Sequence, residues 1–392
     1  MEIDASSEPH FVEKIFIYPI KSLPGVSVSS LTISAAGRIE HDREFAIVDG
    51  SGRYVNAKRC PGVHAINLSA WTSPSTISMS CAALGADANS PRFDLGEQSD
   101  MAAASAWVLR ALVAAGSESV TRDGIALIRA SEHDGAGFAD DPRLCGPTVV
   151  SASSLVAVAR WYGLTVEEVA QRFRPNVVVG GSPAWWEDSL LDERSSHGRA
   201  VRFGGVHLVG ALPIHRCVVP TRSPVASCKA AATPGFAATF QVARLAEMPH
   251  WSPHGRLTGG EPPFASYFLG VGCCAMGQRS RGVVAVGDRV STGPFVALAD
   301  IANEREPQLA SALPQLLLER GYAIGRVAPR TRYVARALLS VLPVALGAHI
   351  VMGGQPAVVR KPTARELCIG TLHLIAIVAV AICAAVIIVR VA

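Results

Sequence analysis

Between residues 11 and 100 the apolar positions come in short alternating runs at 14–18, 26–33, 44–48, 54–57 and 66–70. Pro24-Gly25, Gly37 and Asp49-Gly50-Ser51-Gly52 punctuate them, and short strands broken by turn residues at this spacing predict a β barrel or sandwich. The period changes over 101–115, which is Ala-rich with Trp107, Leu109 and Leu112 at helical intervals and predicts a covering helix. A Gly- and Asp-rich stretch, 133–146, reads as a linker. Beyond it 151–161 predicts a helix, and Thr165 followed by Glu168 is the start signal of a second one running through Phe173. From Asn176 the strand pattern returns at 177–179, 201–203, 206–208, 216–220 and 282–286. The fold class read from this pattern is mainly β with some α: two β-barrel domains, 11–133 and 134–300, followed by a basic linker and membrane anchor over 301–392.

That last region starts with 309–320, a predicted helix weakened by Pro314. Residues 367–389 then run for 23 positions without a formal charge. At about 1.5 Å per residue such a helix reaches roughly 34 Å, enough to cross a hydrocarbon core of about 30 Å, so it predicts a C-terminal transmembrane helix. Residues 337–359 are also uncharged, but Pro343, Gly347, Gly353, Gly354 and Pro356 interrupt them and predict an interfacial or re-entrant segment. Arg360, Lys361 and Arg365 precede the span and only Arg390 follows it, which orients the N-terminal domains toward the cytosol. No apolar run near the N-terminus suggests a secretory signal.

Composition sharpens this division. The 392 residues carry net charge +4, with 17% charged and 49% hydrophobic side chains, which excludes a disordered polar chain. Residues 326–366 alone contribute +6 and Arg390 one more, leaving 1–325 at −3. The positive charge thus belongs to the tail, and no nucleic-acid partner is expected. The helix pair at 151–173 does not restore one, because the second helix offers Glu167, Glu168 and Gln171 beside Arg172. Nine cysteines without a CxxC pair fit free thiols in a reducing compartment and give no zinc or iron–sulfur pattern.

Three clusters at the ends of elements, and one cysteine in an expected strand, could carry chemistry. Lys21-Ser22 follows a strand and offers an ammonium and a hydroxyl for an anionic oxygen, or else forms an ordinary Pro/Gly turn. Arg43 could clamp a phosphate or be neutralised by Asp42 or Glu44. Arg174, between a helix and Pro175-Asn176, could face a ligand or cap the helix carbonyls. Cys217, in His215-Arg216-Cys217, suits a soft-metal ligand or nucleophile, with a buried, inert thiol as the alternative. Trp185, Trp186 and Trp251 could wall a pocket or simply pack.

Considered together, these blocks resemble a known family. IFIYPIKSLPGVSV (15–28) and HDREFAIVDGSGRYVNAKRCPGVH (41–64) look like the N-terminal β-barrel domain that precedes MOSC domains. GPTVVSASSL, RFRPNVVVGG, WWED, IHRCVVPTRSP and VAVGDRV, in that order over 146–290, look like the MOSC domain itself. The arrangement is similar to the mitochondrial amidoxime-reducing components and to the C-terminal part of molybdenum cofactor sulfurase. The resemblance implies a molybdenum–molybdopterin cofactor between the two barrels, reduction of small N-hydroxylated substrates, and electrons delivered by a b-type cytochrome and its flavin reductase. It places Lys21, Ser22, Arg43, Arg174, Asn176 and Arg216 around the cofactor. Two side chains stand as candidate metal ligands: Cys217, also the candidate catalytic residue, and His250, which aligns near the ligand position when counted back from Tyr267-Phe268. The family also carries an association with pyridoxal phosphate. The competing expectation is a non-catalytic or sulfur-handling molybdopterin-binding protein.

Overall fold

Strand β1 (Phe11–Ile17) buries Val12, Ile15 and Ile17. A bulge between Val12 and Lys14 brings Val12 and Ile15, three positions apart, to the same core side. On one side β1 pairs antiparallel with β10 (Val177–Gly180), all four of whose residues are buried, and on the other with β2 (Val26–Val28). β10 runs parallel to β9 (Thr148–Ser151). The two are linked through helices α2 (Ala152–Tyr162) and α3 (Val166–Phe173), as a parallel crossover requires. β13 (Phe268–Ala275), β12 (Val206–His215), β11 (His197–Phe203) and β15 (Val290–Ala297) extend the sheet beyond β9. Its order is β15-β11-β12-β13-β9-β10-β1-β2.

The computed structural model describes residues 9–298 apart from 35–36, 72–74, 86–90, 118–123, 131–145, 193–196, 225–231, 249–266 and 277–279, all within one compact unit, Met1–Glu306. The chain is mainly β with some helix. Among the described residues, however, no closed barrel forms. The reason lies in the strand connections. The run 26–33, expected as one strand, breaks at Ser29. β2 stays with β1, whereas β3 (Ser30–Ile33) pairs with β14 (Gly282–Ala285). Strands of the N-terminal segment thus extend into the sheet of the following segment. Two smaller sheets complete the N-terminal part: β4 (Phe45–Asp49) with β8 (Ile125–Arg129), and β5 (Ile66–Trp71), β6 (Thr76–Cys81) and β7 (Arg92–Asp94). α1 (Gln98–Ala114) covers them, burying Ala104, Trp107, Val108, Ala111 and Leu112.

Two other expected strands are turns. At 54–57 the Asn56 side-chain oxygen accepts from the backbone N–H groups of Lys58 and Arg59 at 3.0 and 3.1 Å, which curls the chain after a single bridge from Val48 to Tyr54. Near 216–220, β12 has already ended at His215, and a 3-10 turn spans Val219–Thr221. The helix starts follow the sequence closely. Thr165 Oγ1 accepts from the Glu168 N–H at 3.1 Å, while the Glu168 carboxylate turns to Arg172 at 2.8 Å. α4 (Phe236–Glu247) packs Phe236 and Phe240 into a second core with α2 and α3. No helix among the described residues is long and apolar enough to cross a membrane, and the expected span 367–389 lies outside them, as do 309–320 and 337–359.

Candidate functional site

Five non-glycine residues among the described ones have positive φ: Ser22 (75°), His41 (63°), Arg43 (54°), Arg174 (55°) and Trp185 (64°). Left-handed backbone is unfavourable for residues with a Cβ, and such conformations gather where the surroundings enforce them, functional sites included. Four of these five, Ser22, Arg43, Arg174 and Trp185, are side chains singled out from sequence. Arg174 ends α3 in this conformation, so its N–H caps the Ala170 carbonyl at 2.7 Å while its side chain leaves the helix axis. The guanidinium lies 4.1 Å from the centre of the Tyr18 ring and donates to the Leu23 carbonyl.

Arg174 and Ser22 open onto a cavity of about 340 Å³, at the lower end of the ~300–1,000 Å³ typical of ligand pockets. Both family-like segments wall it. Ser22, Pro24, Lys58 and His64 come from the N-terminal one; Gln171, Arg172 and Arg174 come from the end of α3; Arg216, Cys217 and Arg222 follow β12. Of the described residues lining it, none is an Asp or Glu. The wall is therefore strongly cationic, although Arg172 is answered by Glu168 and held by the Pro220 carbonyl at 2.9 Å. Arg216 donates to the carbonyls of Phe173, at 2.8 Å, and Leu269, and its buried Nε has no partner among the described residues. Burial pulls this guanidinium down to about 10, so it remains charged at neutral pH. Cys217 is partly buried, and its sulfur accepts from the Val219 N–H at 3.5 Å.

The structure brings four of the sequence candidates, Ser22, Arg174, Arg216 and Cys217, to one cavity. It places three elsewhere. Lys21 is tied by its N–H to the Phe45 carbonyl at 2.7 Å and holds its ammonium 5.6 Å from the Tyr54 ring centre. Arg43 pairs with Asp42 and lies 5.0 Å from the Tyr18 ring centre, on the residue that also carries Arg174. Asn176 is buried, with its amide spent inside the fold: Oδ1 accepts from the Thr148 N–H at 3.1 Å, and Nδ2 donates to the Phe16 carbonyl and to Asp42, both at 3.2 Å. His250 and Trp251 lie outside the described residues. Trp185 is not at the cavity; it stacks on Trp161 and Arg244 in the core.

His64, Lys58 and Arg222 were not singled out by sequence. Arg222 stands six residues after Arg216 in the same block, a repeat of cationic positions that was legible. His64 sits in an apolar run after Pro61-Gly62, and nothing in its spacing marks it. Among the described residues no group of three or more His, Cys, Asp or Glu gathers as a metal site.

Residues 10–114 match the family model of the MOSC N-terminal beta barrel domain, and residues 147–291 match that of the MOSC domain. The chain belongs to the MOSC family. The cavity of this MOSC protein is thus walled by residues from both matched segments. Its family is associated with molybdenum cofactor binding. No curated protein matches the chain. Among solved structures it is similar to the YuaD protein from Bacillus subtilis at 13% identity, over 73% of this chain and 97% of that one, with a TM-score of 0.30; a likeness at that level carries no argument.

The residues present fit the cofactor the family implies. Fixed guanidinium groups suit a phosphate. A thiol suits a soft metal. The unpartnered Arg216 Nε and His64 Nε2 are buried polar atoms at the wall of the cavity.

Proposed function

We propose that this MOSC protein binds molybdenum–molybdopterin in the cationic cavity and reduces small N-hydroxylated compounds, as the amidoxime reducers do. The observation that carries the reading is the meeting of Cys217 with Arg174, Arg216, Arg222 and Ser22 in one cavity whose lining includes no carboxylate among the described residues. When bound, the cofactor supplies the oxygen-atom and electron chemistry. The chain supplies the rest. Arg174 and Arg222, anchored through the carbonyls of Leu23 and Ala57, offer fixed donors to a phosphate with little rearrangement. Ser22, which also lines the cavity, adds a hydroxyl. Cys217 would hold the metal through its sulfur, which the Val219 N–H already reaches at 3.5 Å. Tyr18, its ring beside Arg43 and Arg174 and its hydroxyl on the Pro175 carbonyl at 2.8 Å, fixes the position of the Arg174 side chain.

Electrons reach the site from a separate b-type cytochrome and flavin reductase, and the tail at 367–389 anchors the protein to a membrane with its N-terminal part in the cytosol. In the full chain, extracted in detergent and supplied with a chemically reduced dye as donor, an amidoxime is expected to be reduced. Cys217→Ser is expected to abolish turnover. Arg174→Ala is expected to weaken cofactor retention about 10- to 100-fold, the loss of one charged hydrogen bond of about 1.5–3 kcal/mol. Absence of turnover in wild-type protein that carries both molybdenum and pterin would remove the reductase reading and leave the sulfur-handling one. Ending the chain after residue 325 should release it from the membrane fraction; continued sedimentation with membranes contradicts the anchor.

A further inference from the structure

We propose that His64 is a ligand-contacting residue of the cavity, its imidazole hydrogen-bonding an oxyanion group held by Arg174 and Arg222. The inference deepens the function proposed above, and rests on it only for the identity of the ligand.

His64 sits on a 3-10 turn, Pro61–Ala65, whose first position is fixed by proline. The turn is pressed against the end of α1: a Cβ built on Gly62 would lie 2.3 Å from Ser117 Oγ and 3.3 Å from the Ala115 Cβ. The histidine is therefore held in place. It is 9% exposed and lines the cavity, and its Nε2 is buried with no hydrogen-bond partner among the described residues. Leaving a buried polar atom unsatisfied costs about 1–3 kcal/mol, and a ligand group is what would satisfy one that faces a cavity.

The surroundings select the ligand. From the end of α3 come Arg174 and Arg172, the latter answered by Glu168, and from the segment after β12 comes Arg222. Lys58, Arg216, His215 and Cys217 complete the titratable groups at the cavity. Burial, then the charges of Arg174, Arg222 and Arg172, pull the imidazole down to about 4, so without a ligand the ring is neutral. An oxyanion between the two arginines reverses that field. It offsets their charge, favours uptake of a proton from solvent by the ring, and accepts the hydrogen bond the ring then donates. The phosphate of an organic cofactor and the anionic group of a substrate share this chemistry.

Sulfate, whose charge is constant between about pH 5 and 8, is the probe, applied to the full chain in detergent. Wild-type protein should bind it more tightly at pH 6 than at pH 7.5. His64→Gln should bind it about tenfold more weakly at pH 6, the loss of one charged hydrogen bond, with a flattened pH dependence. Equal affinity of variant and wild type at both pH values overturns the proposal. In wild-type protein carrying ¹⁵N-labelled histidine, sulfate should raise the titration midpoint of the imidazole signal that His64→Gln removes; an unmoved midpoint overturns it without relying on the variant's stability. Two further readouts name the source. A fall in pterin content of His64→Gln assigns the contact to the cofactor, and a raised KM at unchanged pterin content assigns it to the substrate. Because sulfate binding requires neither molybdenum nor turnover, failure of the reductase reading leaves this test intact.

Discussion

Glu187 is fully buried beside Asp188 and Arg244, and only one of its oxygens is used, accepting from Ser154 Oγ at 2.9 Å and the Ser151 N–H at 3.2 Å. Arg244 pairs with Asp188, but its Nε, one oxygen of each carboxyl and the Tyr267 hydroxyl have no partner among the described residues. Burial, reinforced by the charge of Asp188, pushes Glu187 up to about 8. Its carboxyl is thus more readily protonated in the folded than in the unfolded chain. The stability this gives is full below the ordinary carboxylate value and is lost as pH rises through about 8. Glu187→Gln, neutral at every pH, should therefore gain melting temperature relative to wild type as pH goes from 5 to 8.5; a constant difference contradicts the assignment. At the same scale, Ser22 and Arg174 were legible because each stands near the end of an expected element, where the chain must turn, and Arg216 and Cys217 because a thiol stands directly beside a guanidinium and an imidazole. Lys21, Arg43 and Asn176 stand in equally suggestive places, yet their side chains serve Tyr54, Asp42 and the backbone of Phe16 and Thr148. Side-chain direction at a turn depends on the φ of one residue, which residue type does not reveal when that residue is not glycine.

Among elements, β1 is decisive, since it belongs by sequence to the N-terminal segment and by pairing to the sheet of the MOSC segment. Asn176 secures that junction through β1, β9 and the loop that carries Arg43. Asn176→Ala leaves a buried N–H and a carbonyl without partners and should destabilise the fold by about 1–3 kcal/mol in denaturant unfolding. Asn176→Asp should cost more, because it sets a second carboxylate against Asp42; an Asp variant as stable as wild type would count against the tie. The helices were the clearest elements in the sequence, because Thr165, Ser151 and Gly163 mark their ends with known chemistry. Strand identity was readable for β1, β4, β5, β10, β11 and β12 but not at 54–57 and 216–220, which are turns, and strand partnership was not readable. Nothing in the alternation at 26–33 tells that Ser29 divides it between two sheets, and β13, a buried run of Phe268–Ala275, lacks the two-residue period altogether.

For the whole molecule, the shared sheet means that the cavity exists only when both matched segments are folded together. Its cationic wall is local, set in residues 1–325 whose summed charge is −3, so the net charge of the protein gave no sign of it. In the proposed function this wall holds a phosphorylated cofactor whose metal is bound by Cys217. The most direct measurement is the molybdenum and pterin content of the purified full chain beside Cys217→Ser. The account predicts molybdenum and pterin in equal amounts in wild type, with molybdenum lost and pterin largely retained in Cys217→Ser. Wild-type protein free of pterin when made in cells that supply the cofactor, or molybdenum unchanged in Cys217→Ser, would contradict it.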